Sequence, residues 1–419
     1  MNKTHPLINI VKNSKLLLDI TNQYQSPIFL YSSEQIIKNL NRLNSTLNQY
    51  FEKYHICYAV KANSNPHLLQ LMKSHLPDLG ADCSSPGEMY VAKLAGILPN
   101  ECIYTGNYES PADLKSAFNA GVHLNLDDIN SFYRLMKIGI PDEISFRLNP
   151  GFGKGTFSQI VTGGGNAKFG VPHFDIINAY RIAKENGVNN FGIQCMTGSG
   201  ILDPSYFSEL ITAVLNTVQS IQETLGIQMR FISIGGGFGI PYKVEESPLD
   251  FHQVFSNVSR LFNQYYEKEN ISVPEFWIEP GKSIIGDTCI LLTRVTGIKN
   301  SYKTFIGLDT GMETLMRPAL YGAYHRIYKV GEPDAPSTLV ADFTGSICEN
   351  TDRLAIDREF PKVKEGDLIA VMDAGAYGYT MSSQFCTRPR AAEVLLSGNE
   401  TKLVRKRESI EDIFRNCEL

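Results

Sequence analysis

The stretch Ile-Cys-Tyr-Ala-Val-Lys-Ala-Asn-Ser-Asn-Pro at residues 56–66 joins an apolar run to a polar turn. Its first five residues have the character of a buried strand, and the asparagines and proline that follow are typical of a turn. Lys61 therefore stands where a strand stops. Desolvation at such a place lowers a lysine's pKa, and only a neutral amine attacks a carbonyl. The stretch makes Lys61 a candidate nucleophile, against the alternative of an ordinary solvated charge.

Seven more short apolar segments follow the first one, and stretches with helical periodicity, such as 85–94 and 210–225, separate them. The eight predicted strands are residues 56–60, 78–83, 102–105, 122–126, 143–148, 191–196, 230–235 and 275–280. Strands that alternate with helices form a parallel sheet covered on both faces. Eight such units predict a closed (β/α)8 TIM-type barrel.

After Gly281 the sequence changes to strand-like segments without helical spacers, at residues 290–295, 304–308, 338–343 and 367–372. This change predicts a second, mainly β domain. Residues 27–31 also resemble a strand and are candidates for the same sheet. The predicted division is a barrel at 36–285 and a β domain formed by 1–35 together with 286–419.

The composition limits the kinds of binding partner and the cell compartment that we expect. The 39 basic and 44 acidic residues nearly balance, which favours a small-molecule partner over nucleic acid or an anionic membrane. The eight cysteines form no C-x-x-C pair, so no metal site is predicted, and reduced thiols are expected. No apolar run is long enough for a signal core or a membrane span, and we expect a cytoplasmic protein.

Candidate functional residues recur where the predicted strands end, which is where a barrel carries its active site. They are Lys61, Asp82, Asn107, Asn125, Arg147, Gln194, Met196, Gly235, Gly236, Gly237 and Glu279. Any polar residue near a loop would fit such a pattern. The recurrence therefore supports the fold more than it supports any single role.

Two motifs among these positions have chemical meaning. Gly235-Gly236-Gly237-Phe238-Gly239 follows a strand, and such a loop lets backbone N–H groups approach a phosphate. It is not a dinucleotide fingerprint, because Ile240 stands where the last glycine would be needed. Glu279 precedes Pro-Gly, and a carboxylate there could keep the ring nitrogen of a pyridine cofactor protonated. The alternatives are tight-turn glycines without a ligand and a salt-bridged glutamate.

A lysine, a glycine cradle and a carboxylate match the aldehyde, phosphate and ring nitrogen of pyridoxal 5′-phosphate. At this point the chain resembles the fold-type III pyridoxal-phosphate enzymes of the diaminopimelate decarboxylase family, which are related to ornithine decarboxylases and alanine racemase. The resemblance runs in family order from residue 58 to residue 393. The matching segments are 58–63, 235–242, 279–281, 316–321, 348–352, 373–378 and 388–393.

The resemblance implies a role for each matching residue. Lys61 would form the Schiff base, Glu279 would pair with the ring nitrogen, and Asp82 and Glu88 would line the cofactor side. The phosphate would be held by Ser199, Gly235, Gly236, Gly237 and Tyr377. The substrate would be bound by Lys282, Arg317, Tyr321, Glu349 and Tyr377. Cys348 would return a proton after carbon dioxide leaves. In this family the site is completed across a homodimer interface, so Cys348 and Glu349 would come from the other subunit.

Several positions depart from the family pattern. Gln194 and Met196 stand where histidines are usual, Lys282 replaces an arginine, and Thr105 and Asn350-Thr351 also differ. Met196 can pack on an aromatic ring through its sulfur but donates no hydrogen bond. Lys282 meets a carboxylate as a point charge, without arginine's two parallel hydrogen bonds. The departures touch the ring and the substrate, which predicts an altered substrate more than a lost cofactor.

The predicted function is the α-decarboxylation of an amino acid that resembles meso-diaminopimelate, giving lysine if that is the substrate. The alternative is decarboxylation of another diamino acid or of an amino-acid conjugate in a specialised pathway. An amino-acid racemase and a non-enzymatic pyridoxal-phosphate carrier are weaker alternatives. The racemase would need a two-base arrangement, and carriers are usually a lone barrel.

Overall fold

The computed structural model describes residues 5–418, and its internal contacts divide the chain into two compact units. The unit formed by residues 39–240 and 248–283 is called the barrel unit. The described residues up to Lys38, residues 241–247 and the chain from Ile284 onward form the sheet unit. The sequence did not indicate that residues 241–247 would leave the first unit.

The barrel unit contains eight parallel strands that close into a ring. Strand neighbours follow the chain order, and pairing of His123–Leu126 with Glu143–Asn149 completes the closure. The eight strands are Tyr54–Ala59, Gly80–Cys83, Cys102–Tyr104, His123–Leu126, Glu143–Asn149, Asn190–Cys195, Met229–Ser233 and Glu275–Ile278, and a ninth short strand, Val171–Pro172, pairs at the edge of Glu143–Asn149. The predicted closed barrel is confirmed, with each strand within a few residues of its expected position.

Local signals explain where the surrounding helices begin. Side chains of Asn65, Ser85, Ser110, Asp128, Asp203 and Asp250 accept a hydrogen bond from the first turn of the helix that follows. The helices of this region are Ser33–Tyr50, Pro66–His75, Pro86–Leu94, Pro111–Ala120, Ile129–Met136, Ile176–Glu185, Pro204–Leu225, Phe251–Glu269 and Lys282–Ile285. Most of these helices start just after a strand, so their N-termini face the carboxyl rim of the barrel.

The two ends of the barrel are filled differently. At the amino-terminal end, the rings of Phe231 and Trp277 stack at 4.2 Å and pack with Cys57 and Ile103. Nearer the carboxyl rim the interior becomes polar, where Asn125 accepts from Ser145 at 2.8 Å. Apolar packing closes one end, and polar groups are left at the other.

The sheet unit is built on a nine-stranded sheet. Its strands are Ile28–Ser32, Cys289–Asn300, Thr304–Leu308, Ile327–Lys329, Leu339–Thr344, Arg353–Phe360, Leu368–Val371, Ala392–Ser397 and Glu400–Arg405. Its helices are Ile8–Lys12, Ser14–Tyr24, Arg317–Tyr321 and Ile410–Phe414. The first strand lies between Cys289–Asn300, to which it is antiparallel, and Ala392–Ser397, to which it is parallel. The predicted second, mainly β domain and the place of this strand in its sheet are confirmed.

The sequence did not predict four strands of this sheet. They are Ile327–Lys329, Arg353–Phe360, Ala392–Ser397 and Glu400–Arg405. Two of them, Arg353–Phe360 and Glu400–Arg405, are edge strands rich in charged residues, so they lack the apolar run that marks a buried strand. Within residues 5–418, no helix combines the length and the apolar character that a membrane crossing demands.

Candidate active site

Lys61 lies in a short 3-10 turn, Val60–Ala62, directly after the first barrel strand. The turn is held against the end of the last strand, because the amide of Ala59 donates to the carbonyl oxygen of Pro280 at 3.1 Å. A glycine is needed at 281, since a Cβ there would lie 2.8 Å from the Cβ of the residue after Lys61. The meeting of the first and last strands therefore fixes the lysine at the carboxyl rim.

The amine of Lys61 lies in an acidic corner of the rim. Its Nζ donates to the carboxylate of Asp82, which belongs to the second barrel strand. The Asp82 side chain is only 3% exposed, whereas that of Lys61 is 38% exposed. Glu88 completes the corner, where burial raises the pKa of its carboxyl and the charge of Lys61 lowers it. The lysine thus keeps one side open while buried acids hold its charge.

Glu279 ends the last barrel strand as a buried carboxylate with two donors. Ser233 Oγ donates to it at 2.6 Å and Gln194 Nε2 donates at 2.8 Å. Burial, and then repulsion from Asp82, raise the pKa of Glu279 to about 7, while Ser233, Lys61 and Gln194 lower it. The carboxyl therefore changes charge near neutral pH, and a cation beside it would draw it into the ionised form.

The glycine loop after the seventh strand is packed too closely for side chains. Gly235 and Gly237 have positive φ angles of 67° and 88°. A Cβ on Gly236 would lie 2.3 Å from the carbonyl oxygen of Glu279. The amide of Ile201 donates to the carbonyl oxygen of Gly237 at 2.9 Å, which joins this loop to the one that carries Ser199. The two loops therefore form one closely packed cradle.

Met196 faces the glycine loop. The amide of Gly236 lies 3.3 Å from its Sδ. Its carbonyl oxygen accepts from Nη2 of Arg147 at 2.9 Å, and burial lowers the pKa of that arginine. The thioether is therefore held at the cradle and has no proton to donate.

Lys282 is almost fully buried, and its amine lies beside the second loop of the cradle. A Cβ built on Gly200 would be 3.4 Å from Nζ of Lys282. The residue begins the helix Lys282–Ile285, immediately after the turn at Pro280 and Gly281. Its position next to the loop of Ser199 directs a positive charge toward the cradle.

Arg317 begins a short helix of the sheet unit and is only 2% exposed. Its Nη1 donates to Nε2 of His325 at 2.9 Å, and its guanidinium lies over the ring of Tyr242, 4.7 Å from the centroid. The other nitrogen of His325 lies 2.8 Å from the carbonyl oxygen of Met372, which can only accept. Burial and the charge of Arg317 lower the pKa of His325 to about 3. A neutral partner therefore holds the guanidinium in place.

Cys348 and Glu349 are exposed on a loop that Asp352 anchors. The Asp352 carboxylate is 1% exposed and accepts from the amides of Met312 at 2.6 Å and Ile347 at 2.8 Å. Glu349 accepts from Thr351 Oγ1 at 3.1 Å. The buried aspartate fixes the backbone and the two functional side chains project from it.

Tyr377 and Tyr321 are half-buried side chains of the sheet unit. Tyr321 ends the helix that begins with Arg317. Tyr377 lies in a tight turn with a φ of 58°, and a Cβ on Gly375 would be 1.9 Å from the carbonyl oxygen of Ile285. Close backbone packing therefore fixes the position of this tyrosine.

Three residues that shape these sites were not assigned a role from the sequence. Ser233 contacts Glu279, 46 positions away in the chain, and His325 contacts Arg317, only eight positions away. Asp352 was noted only as part of a motif. Ser233 carried a signal, since it precedes the glycine loop on a strand whose other residues are mostly apolar. The predicted barrel residues Lys61, Asp82, Glu279, Met196 and the glycine loop all lie at the carboxyl rim.

The barrel unit fits pyridoxal 5′-phosphate by its own chemistry. It brings an amine, a glycine cradle and a buried carboxylate to one rim. Beside the carboxylate, Oε1 of Gln194 is buried and has no hydrogen-bond partner among residues 5–418. Buried polar atoms are usually satisfied, so such an atom at a rim indicates that a ligand belongs there.

Comparison with known proteins gives consistent matches over nearly the whole chain. Residues 34–286 match the family model described as the pyridoxal binding domain of pyridoxal-dependent decarboxylases. The diaminopimelate decarboxylase of Methanothermobacter thermautotrophicus is 38% identical over 401 residues, which cover 95% of this chain and 93% of that protein. That of Archaeoglobus fulgidus is 38% identical over 406 residues, covering 96% and 95%. The crystal structure of M. jannaschii diaminopimelate decarboxylase with L-lysine has a TM-score of 0.88 and 29% identity, with 96% of this chain and 94% of that one covered.

Proposed function

Since the chain belongs to the family of pyridoxal-dependent decarboxylases, we propose that it removes carbon dioxide from meso-diaminopimelate and releases lysine. The observation that carries this proposal is the identity of 38% to diaminopimelate decarboxylases over residues of both units. The geometry of the barrel rim supports the cofactor, and the buried Arg317 supports a carboxylate-bearing substrate.

The barrel unit holds the cofactor in this proposal. Bound pyridoxal 5′-phosphate supplies an electron sink for the pair of electrons that the departing carboxylate leaves behind. Lys61 would hold the aldehyde end, and Glu279 would pair with the ring nitrogen. Ser233 and Gln194 keep Glu279 oriented through their hydrogen bonds. Asp82 holds the charge of Lys61 within the site.

The phosphate end would lie at the cradle. The absence of side chains at Gly235, Gly236 and Gly237 would let the phosphate approach the backbone closely, and Ser199 and Tyr377 would offer hydroxyl groups. We propose that Lys282 adds its charge here, because its amine lies beside Gly200. The resemblance alone assigned Lys282 to the substrate. A position next to the cradle supports a phosphate contact as well.

In this proposal, residues of the sheet unit recognise the substrate. Arg317 and Tyr321 bind the carboxylate that is retained, and Glu349 meets the distal ammonium. Cys348 gives its proton to the carbon from which carbon dioxide has left. An ordinary cysteine thiol is mostly protonated at neutral pH, so a thiol at this position has a proton to give.

We further propose a homodimer in which Cys348 and Glu349 of each subunit complete the site of the other. Their exposure on an anchored loop supports this arrangement, since side chains that serve a partner must project from their own chain. All eight cysteines are free, which supports the expected cytoplasmic location.

The deciding experiment is a substrate comparison with the purified enzyme and pyridoxal 5′-phosphate. Carbon dioxide release is measured from meso-diaminopimelate, lysine, ornithine and arginine. Release from meso-diaminopimelate with formation of lysine supports the proposal. If carbon dioxide is released only from another diamino acid, that amino acid is the substrate instead. A product that keeps its carboxylate but loses optical purity would indicate racemisation.

A further inference from the structure

Two exposed thiols lie side by side in the sheet unit. The Sγ atoms of Cys348 and Cys386 are 3.5 Å apart, although 38 positions separate the residues in the chain. Both cysteines are free. A disulfide bond is about 2.0 Å long, so a closure of about 1.5 Å would join the two sulfurs.

The backbone around each of the two cysteines holds its thiol at the surface. Cys386 has φ 54° and ψ 30°, and the next residue, Thr387, has a φ of 56°. Positive φ is uncommon for a residue with a side chain and is a clear outlier for a β-branched one. Opposite them, the amide next to Cys348 is held by Asp352 at 2.8 Å. A strained turn and an anchored loop therefore bring two sulfurs together at the surface.

No other pair of thiols in residues 5–418 combines contact with exposure. Cys83 and Cys102 are also hydrogen-bonded neighbours, but both are buried. Cys417 is exposed and has no neighbouring thiol among the described residues. Thiol exchange requires access of the oxidant to sulfur. The buried pair Cys83 and Cys102 and the exposed single Cys417 therefore serve as controls within the same chain.

We propose that Cys348 and Cys386 form a dithiol site that is oxidised to an intrachain disulfide by a small disulfide such as oxidised glutathione. One protein thiolate attacks a sulfur of glutathione disulfide and displaces one glutathione thiolate. The second protein thiolate then attacks the mixed disulfide and displaces the other. The protein loses two protons and two electrons, and one disulfide is reduced to two thiols.

The consequence for catalysis rests on the proposed function. Cys348 in a disulfide has no proton to give to the substrate carbon, so oxidation stops turnover. Reduction by a dithiol restores the proton and the activity. Cys386 is not part of the catalytic machinery described above, and its role is confined to closing the bond.

The test uses the purified holoenzyme in buffers with a series of ratios of oxidised to reduced glutathione. Intact mass and peptide mapping without reduction detect the bond, and non-reducing gels distinguish one chain from two. Carbon dioxide release is followed in parallel, before and after dithiothreitol. The variants are Cys386→Ser and, as the matched exposed control, Cys417→Ser.

We expect a Cys348–Cys386 crosslinked peptide within one chain, loss of most activity, and recovery on reduction. Cys83 and Cys102 stay reduced. Cys417→Ser behaves as the wild type, whereas Cys386→Ser keeps its basal activity and gives only a mixed disulfide with glutathione. Absence of the crosslinked peptide at the most oxidising ratio, or a crosslink between chains, would overturn the proposal. An enzyme that is inactive before oxidation would contradict the proposed function alone, because the crosslink is read by mass.

Discussion

In the barrel unit, Lys61 and Glu279 are held by charged or polar partners, whereas in the sheet unit Arg317 is held by a neutral partner and Cys348 is exposed. Lys61 is paired with Asp82, and Glu279 accepts from Ser233 and Gln194. Arg317, by contrast, has a neutral histidine as its hydrogen-bond partner, and Cys348 projects from the surface.

The proposed function accounts for this difference by what each unit would bind. A group that waits for a permanent cofactor can be held by internal hydrogen bonds, because its environment changes little during turnover. A group that waits for a passing substrate loses affinity if the protein has already satisfied its charge. Holding Arg317 through a neutral His325 fixes its position and leaves its charge for the ligand. Four changes test this division, taken from the largest expected effect to the smallest.

Replacement of the barrel lysine should have the largest effect. Lys61→Ala removes the amine that holds the cofactor, and we expect carbon dioxide release to fall on the order of 10⁴-fold or more. The visible absorbance of lysine-bound cofactor should disappear as well. Lys115→Ala, on an exposed position of the same unit, is the control and should leave both unchanged. Retention of the absorbance in Lys61→Ala would show that another amine holds the cofactor.

Glu279→Gln keeps the shape of the buried carboxyl and removes its charge. We expect kcat to fall roughly 10²- to 10³-fold, as for loss of one preorganised electrostatic partner. KM should change less, because the substrate is bound elsewhere. Glu275, at the other end of the same strand, is the control. If Glu275→Gln lowered kcat as much as Glu279→Gln does, the assignment of Glu279 to the cofactor ring would be refuted.

The same residue gives a pH dependence of stability in the cofactor-free protein. The pKa of Glu279 is raised from 4.5 to about 7, so the folded state binds more protons than the unfolded state between these values. Stability should therefore fall as pH rises from about 4.5 to about 7, by at most about 3 kcal/mol. Thermal unfolding measured across this pH range should show a smaller decrease in stability for Glu279→Gln than for the wild type. An identical slope in both proteins would place the titration elsewhere.

Changes at His325 test the substrate side of the division. His325→Leu removes the acceptor that holds Arg317, and we expect KM for meso-diaminopimelate to rise roughly 10- to 100-fold with a smaller change in kcat. His325→Gln should recover part of the affinity, because its amide oxygen can accept the same bond. Exposed His252→Leu is the control. A fall in kcat without a rise in KM would contradict a positioning role.

The smallest effect is expected from restoring the residues usual in the family at two positions. Met196→His together with Lys282→Arg returns a ring-facing histidine and a forked cation. The activity on meso-diaminopimelate should rise several-fold, in keeping with contacts of about 1 kcal/mol. Initial rates on meso-diaminopimelate and ornithine measure the change. No rise would mean that these departures do not affect substrate choice.

Much of the barrel could be predicted because each of its strands is an apolar run set off by turns and helices. The edge strand Arg353–Phe360 could not, since Asp357, Arg358 and Glu359 are consecutive charged residues and its burial shows no strict alternation. The end of the first strand was slightly misplaced, as Val60 belongs to the turn of Lys61. Local composition therefore predicts the buried strands and misses the edge strands.

The candidate site was predictable where one residue type carries the chemistry by itself. It was not predictable where two distant residues share a role. Gln194 stood out only as a departure from the family, yet it donates to Glu279 across the barrel. His325 contacts Arg317 because a short helix turns the chain back on itself. Such pairings depend on three-dimensional register, which a single sequence does not reveal.

The hydrogen bond between Ala59 and Pro280 has a consequence for the assembly of the protein. These residues lie at the two ends of the barrel sequence, and the turn of Lys61 has its native form only when they meet. A chain that is still being synthesised, or one that has lost its last strand, cannot complete that turn. This contact, which holds the turn of Lys61 in the folded protein, therefore forms only when the ring closes.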